Sequence, residues 1–419
     1  MRSATIARVA SAHPLLRATF AGLDASGVPW ALLRDADKLS VPPRDVDILV
    51  SGDALERVDC ALDAAGFVRM PANGHGSHRF YVAYDTAGGR WIEVDVITEV
   101  AFGPTEELAT EVGPELLARR ERTDDLSVLR PGDAFWHLAL HHLLRDGEIP
   151  ERRRDQAAAT ARSASASDPL GALVDGICPG TADSIPDAVA RGDWDAAAAA
   201  GHELRRAWTR SARVSAVRRL AVHRVGRRIP AVSRRLGVSL AVLGPDGAGK
   251  TSLADALRTS VPLGTRYVYL GMWRPSRLRD SLRHLPGARL ALVAAKLAAK
   301  SALISYHRSL GRIVIVDRFS YDADVPSTET TDWRAQVSAP VLKRITPDPD
   351  LIVLLDAPAE VMYARKGEHD LGKLRRLRAG YLALADRDPR VVVVDAEQPR
   401  EDVTRQVSAL LWERLAGLT

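Results

Sequence analysis

The chain has 419 residues, more than one ordinary hydrophobic core accommodates, so two or three domains are expected. Apolar residues make up 46 % and charged residues 26 %, which is typical of a globular protein and excludes a disordered or fibrous chain. The formal net charge is only +5, so the distribution of charge along the chain matters more than its sum.

Cysteine use and apolar runs bear on the cell compartment. Cys60 and Cys178 are the only cysteines and form no CxxC pair, so neither a disulfide framework nor a zinc site is indicated. The apolar run from Leu290 to Ile304 is interrupted by Lys296 and Lys300, and the N-terminus has no unbroken apolar core. We therefore expect a cytoplasmic protein without a signal peptide or transmembrane segment.

The first 130 residues mix helix and strand patterns. Helices are predicted over 1–23 and 54–65, and strands over 30–33, 46–50, 78–84 and 91–97. Asp45 and Asp47 are two residues apart on one strand, so their carboxylates project from the same face, and Glu93 and Asp95 repeat this spacing. Such pairs are suited to holding two Mg²⁺ ions for nucleotidyl transfer. An ordinary polar strand face is the alternative.

This pattern resembles the polymerase-β-like nucleotidyltransferase superfamily over roughly residues 20–130. The resemblance implies an α+β domain, with or without transferase activity, whose metal ligands are Asp45, Asp47 and Asp95. Glu93 is the second choice for the third carboxylate. Members of the superfamily carry a glycine followed by serine or glycine before the pair, where this chain has Leu33-Arg34-Asp35.

Residues 131–236 read as a helical segment. His137 and His141 are four residues apart, but no Glu follows His137 as in H-E-x-x-H, so helix-face histidines are favoured over metal ligands. The end of this segment, Arg205 to Arg235, contains eleven arginines and no acidic residue, and we call it the arginine-rich connector. It is a solvated helix face, a weak contact site for a polyanion or anionic lipid, or a surface that guides an anionic substrate.

The strongest motif follows an apolar strand over 238–243. Gly244-Pro-Asp-Gly-Ala-Gly-Lys-Thr251 fits G-x-x-x-x-G-K-[ST] and leads into a helix. Glycines allow successive backbone N–H groups to surround a polyphosphate, Lys250 supplies a point charge, and the Thr251 hydroxyl is suited to bind Mg²⁺. The motif predicts an ATP·Mg²⁺ site formed by Gly244, Asp246, Gly247, Gly249, Lys250, Thr251 and Ser252. Only seven of the 58 basic residues are lysines, so a lysine at position 250 is informative.

Four more apolar strands are predicted at 267–270, 313–316, 351–355 and 391–394, with helical stretches between them. Short apolar strands alternating with helices predict a parallel sheet covered on both faces, a three-layer α/β domain over 237–419. Ligands of such sheets bind beyond the carboxyl ends of the strands. The residues that follow these strands are Gly244, which begins the glycine-rich loop, and the charged residues Asp317-Arg318, Asp356 and Asp395.

Residues 237–419 resemble the thymidylate kinase branch of the P-loop kinases, on the Gly-x-Asp-Gly-x-Gly-Lys loop and on Asp317-Arg318-Phe319. The resemblance implies that Asp317 holds or orients the Mg²⁺ shell and that Arg318 grips the acceptor and the transferred phosphoryl group. It also implies that Arg365 and Lys366 cover the phosphates and that the turn at 395–399 packs on adenine. The implied catalytic residues are Lys250, Asp317, Arg318 and Arg365.

The segments that recognise the acceptor differ from those of thymidylate kinases. Residues 270–275 read Leu-Gly-Met-Trp-Arg-Pro instead of Arg-Glu-Pro-Gly-Gly-Thr, and residues 321–325 lack the usual Ser and Ala-Tyr pair. We therefore expect a kinase for a nucleotide or another phosphorylated or hydroxylated small molecule, fused to a nucleotidyltransferase-like domain. The alternatives are a nucleotidyltransferase regulated by a P-loop NTPase, and an ATP-controlled polyanion-binding protein.

Overall fold

The computed structural model describes residues 12–41, 45–71, 76–226, 237–270, 288–317, 345, 348–367 and 369–418. The chain packs as two compact units. Unit 1 comprises residues 1–83 and 92–229, and unit 2 comprises residues 84–91 and 230–419. The division into three segments at residues 130 and 236 stays a prediction; the first two of those segments lie largely in unit 1.

The N-terminal half contains a seven-stranded sheet. Its strands, with a separate β6–β7 pair, are β1 (Trp30–Leu32), β2 (Asp45–Val50), β3 (Val68–Met70), β4 (His78–Asp85), β5 (Arg90–Ile97), β6 (Ala101–Phe102), β7 (Leu108–Ala109), β8 (Glu121–Thr123) and β9 (Leu126–Val128). The large sheet has the order β3-β4-β5-β2-β1-β9-β8, and β2 pairs with β5 in parallel. Strands of two or three residues, such as β6 to β9, are too short to show a periodic pattern in sequence.

Nine α-helices and one 3₁₀ turn are described in this half. They are α1 (Pro14–Ala25), the 3₁₀ turn (Gly52–Ala54), α2 (Leu55–Ala64), α3 (Gly113–Arg119), α4 (Pro131–Arg145), α5 (Glu151–Ala161), α6 (Pro169–Ile177), α7 (Thr181–Arg191), α8 (Trp194–Ser211) and α9 (Arg213–Gly226). Helix α1 begins at Pro14, whose missing N–H is tolerated there, and the His13 ring accepts a hydrogen bond from the Leu15 N–H. Residues 1–11 of the predicted first helix lie outside the described residues.

Unit 2 contains a five-stranded parallel sheet. Its strands are β10 (Ser239–Leu243), β11 (Thr265–Tyr269), β12 (Ile313–Asp317), β13 (Leu351–Asp356) and β14 (Val391–Asp395), and its described helices are α10 (Lys250–Ser260), α11 (Ala288–Ser309), α12 (Ala359–Lys366), α13 (Leu371–Arg387) and α14 (Arg400–Ala416). The order is β11-β12-β10-β13-β14, with every neighbouring pair parallel. This confirms the predicted α/β architecture. Strands β10 and β12 are buried throughout, which explains their unbroken apolar sequences.

The strand order places the carboxyl end of β10 at the centre of the sheet. β10 lies between β12 and β13, so the chain order reverses there and a crevice opens beyond the strand ends. Val242 of β10 is in register with Asp317 of β12, which puts the loop after β10 next to that aspartate. Among the described helices, none combines the length and apolar character that a membrane crossing needs.

Ile352 of β13 is fully buried in the core beneath the sheet. We expect Ile352→Ala to lower the free energy of unfolding by about 2–5 kcal/mol, because it removes packed methyl groups and leaves a cavity. Val393→Ala is the matched control, since Val393 is 42 % exposed on β14 and its truncation leaves no cavity. Urea denaturation of the full chain measures both, and equal midpoints would contradict the buried position of Ile352.

Candidate functional site

The loop between β10 and α10 is shaped by three glycines. Gly244, Gly247 and Gly249 have φ angles of +138°, +91° and +99°, which residues with a Cβ rarely adopt. A Cβ on Gly247 would also lie 2.4 Å from the carbonyl oxygen of Met362 in α12. At Gly247 the loop backbone therefore sits against α12 with no room for a side chain. The loop ends at the N-terminus of α10, whose first N–H groups have no acceptor within the helix and so suit an anion.

Lys250 is the first residue of α10, and its ammonium group points back into the loop. Nζ donates hydrogen bonds to the carbonyl oxygens of Gly244 (2.8 Å) and Pro245 (3.0 Å) and lies 3.7 Å from Oδ1 of Asp246. The side chain is only 10 % exposed, so its charge is concentrated on the loop. Thr251 and Ser252 are exposed in the next positions of the helix, consistent with their predicted contact to a phosphate-bound ion.

Asp246 brings two further groups to the loop. Nζ of Lys366, the last residue of α12, lies 4.0 Å from Oδ1 of Asp246, and Nε2 of His369 lies 3.5 Å from Oδ2. Lys366 was predicted beside the phosphates, and the structure places it at this loop. His369 carries no motif signal, and sequence reasoning missed it.

Arg365 points elsewhere. Its Nη1 donates to the carbonyl oxygen of Ala396 (3.0 Å), just after β14, and the Ala396 N–H donates to the Asp356 carbonyl oxygen (2.7 Å). Arg365 thus holds the segment predicted to pack on adenine, and its contact with phosphates stays a prediction. Arg378 of α13, another group that sequence reasoning missed, makes two hydrogen bonds with the Asp356 carboxylate, at 2.7 and 2.8 Å.

Asp317 ends β12 and is 7 % exposed. Its Oδ2 accepts a hydrogen bond from the Tyr267 hydroxyl, while its buried Oδ1 has no hydrogen-bond partner among the described residues. Burial and then the bond to this carboxylate raise the pKa of Tyr267, so the phenol stays protonated and donates. A buried carboxylate oxygen without a partner costs free energy that a cation would recover, which fits a Mg²⁺ ion bound directly or through water. The neighbouring Arg318 lies outside the described residues.

The carboxylates of unit 1 lie side by side but are paired with cations of the chain itself. Asp45 is in register with Glu93, and Asp47 with Asp95. Nη2 of Arg34 lies 2.8 Å from Oδ2 of Asp45, and its Nε contacts Asp47. Burial raises the pKa of Asp47 to about 7, Arg34 opposes this shift, and Asp95 adds to it.

His78 neutralises the other carboxylate of this cluster. Its Nδ1 lies 2.8 Å from Asp95 and its Nε2 lies 3.0 Å from Glu106. Burial alone would lower the pKa of His78, but hydrogen bonds to the two carboxylates raise it to about 10, so the ring is protonated. Within the described ranges, no group of three or more His, Cys, Asp or Glu side chains could hold a metal ion. Arg34 and His78 occupy the positions around these carboxylates, and metal binding by Asp45, Asp47 and Asp95 stays a prediction.

The geometry of unit 2 defines a P-loop α/β domain of the kind that binds nucleotides and transfers phosphoryl groups. Residues 242–407 match the family model for thymidylate kinase. Over 208 residues, 44 % of this chain and 99 % of the relative, the sequence is 31 % identical to a protein described as a probable thymidylate kinase from Staphylothermus marinus. A second such protein, from Pyrococcus abyssi, is 28 % identical over 212 residues, 43 % of this chain and 99 % of the relative.

Through this C-terminal region the chain belongs to the thymidylate kinase family. A solved structure of thymidylate kinase from Candida albicans covers 43 % of this chain and 93 % of its own, with 19 % identity and a TM-score of 0.34. The resemblance predicted for residues 237–419 is confirmed. The nucleotidyltransferase resemblance of residues 20–130 finds no support in these matches and stays a prediction.

We expect Gly247→Ala to abolish most ATP binding, because the added methyl group would collide with the Met362 carbonyl oxygen and strain the backbone at a φ of +91°. Gly176→Ala is the control, since nothing lies within 4 Å of a Cβ added there. Binding of a fluorescent ATP analogue measures both variants. Affinity retained by a folded Gly247→Ala protein would contradict the close packing of the loop on α12.

Proposed function

We propose that unit 2 transfers the γ-phosphoryl group of ATP to a nucleotide or another phosphorylated or hydroxylated small molecule. The observation that supports this most is the juxtaposition, at one edge of the sheet, of the largely enclosed Lys250 ammonium and Oδ1 of Asp317, which has no hydrogen-bond partner within the described part of the chain. Lys250 suits a polyphosphate and Asp317 suits its cation. Membership of the thymidylate kinase family supports a nucleotide kinase.

In this proposal the protein works by positioning and by charge neutralisation. ATP supplies the phosphoryl group and Mg²⁺ neutralises its charge. The backbone N–H groups of residues 246–251 hold the phosphates at the N-terminus of α10. Lys250 exchanges the two loop carbonyls for phosphate oxygens, Asp317 orients the ion or its water shell, and Tyr267 fixes the carboxylate through the bond to Oδ2.

The remaining basic groups complete the proposed site. Lys366 and His369 are held beside the loop by Asp246 and lie where they can approach the phosphates as α12 adjusts. Arg318 follows Asp317 directly and is proposed to bind the acceptor and the transferred group. For Arg365 two roles are proposed: it breaks its hydrogen bond to Ala396 and contacts the phosphates, or it keeps that bond and holds the base-binding segment in place. The bond to the Ala396 carbonyl oxygen supports the second role.

We expect Lys250→Ala to lower turnover of ATP by roughly two to three orders of magnitude, the scale for loss of one preorganised charged donor. Lys296→Ala is the matched control, because Lys296 is exposed on α11. Transfer from γ-labelled ATP to a panel of nucleotides and phosphorylated metabolites, with the full chain, measures both variants. Equal turnover by a folded Lys250→Ala protein would refute the proposed function.

We also expect dTMP to be a poor acceptor. The phosphate-binding residues match the family, but residues 270–275 and 321–325, which would recognise the base and sugar, differ from it. A site that leaves polar groups of a substrate unpaired discriminates against it by several orders of magnitude in kcat/KM. The panel above ranks dTMP against the other acceptors, and saturable phosphorylation of dTMP at micromolar concentration would show that this prediction is wrong while leaving the kinase proposal intact.

A further inference from the structure

A pocket of about 490 Å³ opens in unit 1 beside the carboxylate cluster. Five cationic side chains line it, and we call it the basic pocket: Arg34, Lys38, Arg145, Arg152 and Arg153. Its volume lies within the range of about 300–1,000 Å³ typical of sites for small molecules. All of the lining residues belong to unit 1, and none belongs to the phosphate loop.

Two of the five cations are fixed by one buried carboxylate. Asp35 is 4 % exposed, and its Oδ2 lies 2.7 Å from Nη2 of Arg153 while its Oδ1 lies 2.9 Å from Nζ of Lys38. Burial opposes ionisation of Asp35, but the hydrogen bonds from Arg153 and Lys38 outweigh it and lower its pKa to about 2. Asp35 therefore stays ionised and holds Lys38 and Arg153 in the lining of the pocket.

Arg34 is fixed by the strand carboxylates. It contacts both Asp45 and Asp47, with a side chain that is 22 % exposed and still reaches the pocket. A guanidinium group between two aspartates of one strand stands where the sequence predicted a metal ion. Because a guanidinium has five N–H donors and two carboxylates occupy only part of them, Arg34 retains capacity to bind an anion in the pocket.

Arg145 and Arg152 are the least compensated cations. Arg145 lies 3.8 Å from Asp146, a long contact on the exposed surface, and Arg152 forms no ion pair with any described residue. The lining carries five cations against three carboxylates, Asp35, Asp45 and Asp146. Asp47 lies outside the lining but shares Arg34, so the excess is between one and two positive charges. Burial lowers the pKa of His141 to about 2, so its ring adds hydrogen-bonding groups and no charge.

The chemistry of this lining matches a phosphate group. Arginine pairs with phosphate through two parallel hydrogen bonds, and the negative charge of a phosphate group offsets the excess positive charge of the lining. The lining contains no Phe, Tyr or Trp on which a base of single-stranded nucleic acid would stack. A discrete small molecule is therefore favoured over a nucleic-acid strand.

We propose that the basic pocket binds a small phosphorylated molecule without a divalent metal ion, with Arg34 taking the place between Asp45 and Asp47 that a metal would occupy. The N-terminal unit is then a metal-independent sensor or holder of a phosphorylated ligand. This inference does not depend on the proposed kinase activity.

The test is calorimetric titration of inorganic pyrophosphate, in EDTA, into the full chain carrying both Gly247→Ala and Lys250→Ala, which remove the backbone geometry and the charge of the phosphate loop. We expect one site per chain. Arg145→Gln and Arg152→Gln should each weaken binding about 10-fold, since each removes one charge-assisted contact that solvent partly screens. Arg191→Gln, an exposed arginine of α7 outside the pocket, is the control and should leave the affinity unchanged.

Several outcomes would overturn the proposal. They are absence of binding in EDTA, unchanged affinity in the Arg145→Gln/Arg152→Gln double variant, and Mn²⁺ binding that Asp47→Asn abolishes. Displacement of pyrophosphate by a short single-stranded oligonucleotide of higher affinity, dependent on Arg145 and Arg152, would assign the pocket to nucleic acid instead. Arg34→Gln is not used for the decision, because it would leave the buried Asp47 without its cation and so change stability as well as anion binding. Kinase activity is measured separately on the chain with Lys250 intact.

Discussion

The site in unit 2 depends on one close approach, that of the Gly247 backbone to the carbonyl oxygen of Met362. This contact joins the phosphate loop to α12, and α12 in turn ends at Lys366, beside Asp246. Gly247 is required both because a Cβ would collide with Met362 and because its φ is positive. A larger residue at this position would therefore be excluded even if the backbone changed its φ. Helix α12, which carries the Arg365 and Lys366 predicted to cover the phosphates, is thereby held against the phosphate loop.

The two units neutralise their carboxylates in different ways. In unit 2, Asp317 has one oxygen bonded to Tyr267 and a second without a partner among the described residues, an arrangement that is incomplete without a cation. In unit 1, Asp45 and Asp47 contact Arg34, and Asp95 contacts His78, so cations of the chain itself occupy these carboxylates, although the pKa of Asp47 stays raised to about 7. An aspartate on a buried strand therefore indicates different chemistry in the two units, depending on whether the chain places a cationic side chain beside it.

The sequence predicted the five strands of unit 2, their parallel arrangement and the loop that holds Lys250, because long apolar runs and glycine spacing reflect local constraints. It also predicted which carboxylates of β2 and β5 face the same side, because strand periodicity fixes this. It did not predict Arg34 between Asp45 and Asp47, nor His78 on Asp95. These contacts join residues 11 and 17 positions apart through the order of the sheet, and neither residue belongs to a periodic pattern or a motif. The short strands β6 to β9 were not predicted for a related reason, because they are defined by their pairing with other strands and not by their amino-acid composition.

The use of lysine or arginine also differs between the phosphate loop of unit 2 and the basic pocket of unit 1. Lys250 lies in a narrow loop where its ammonium reaches two carbonyl oxygens at once, a geometry that a planar guanidinium would not fit. Around the basic pocket, four of the five cations are arginines, and Arg34 spans two carboxylates while Arg153 makes paired bonds to Asp35. A point charge suits a site that must exchange partners when a nucleotide binds. A rigid fork with several donors suits a site whose internal ion pairs must persist while its outer edge binds an anion.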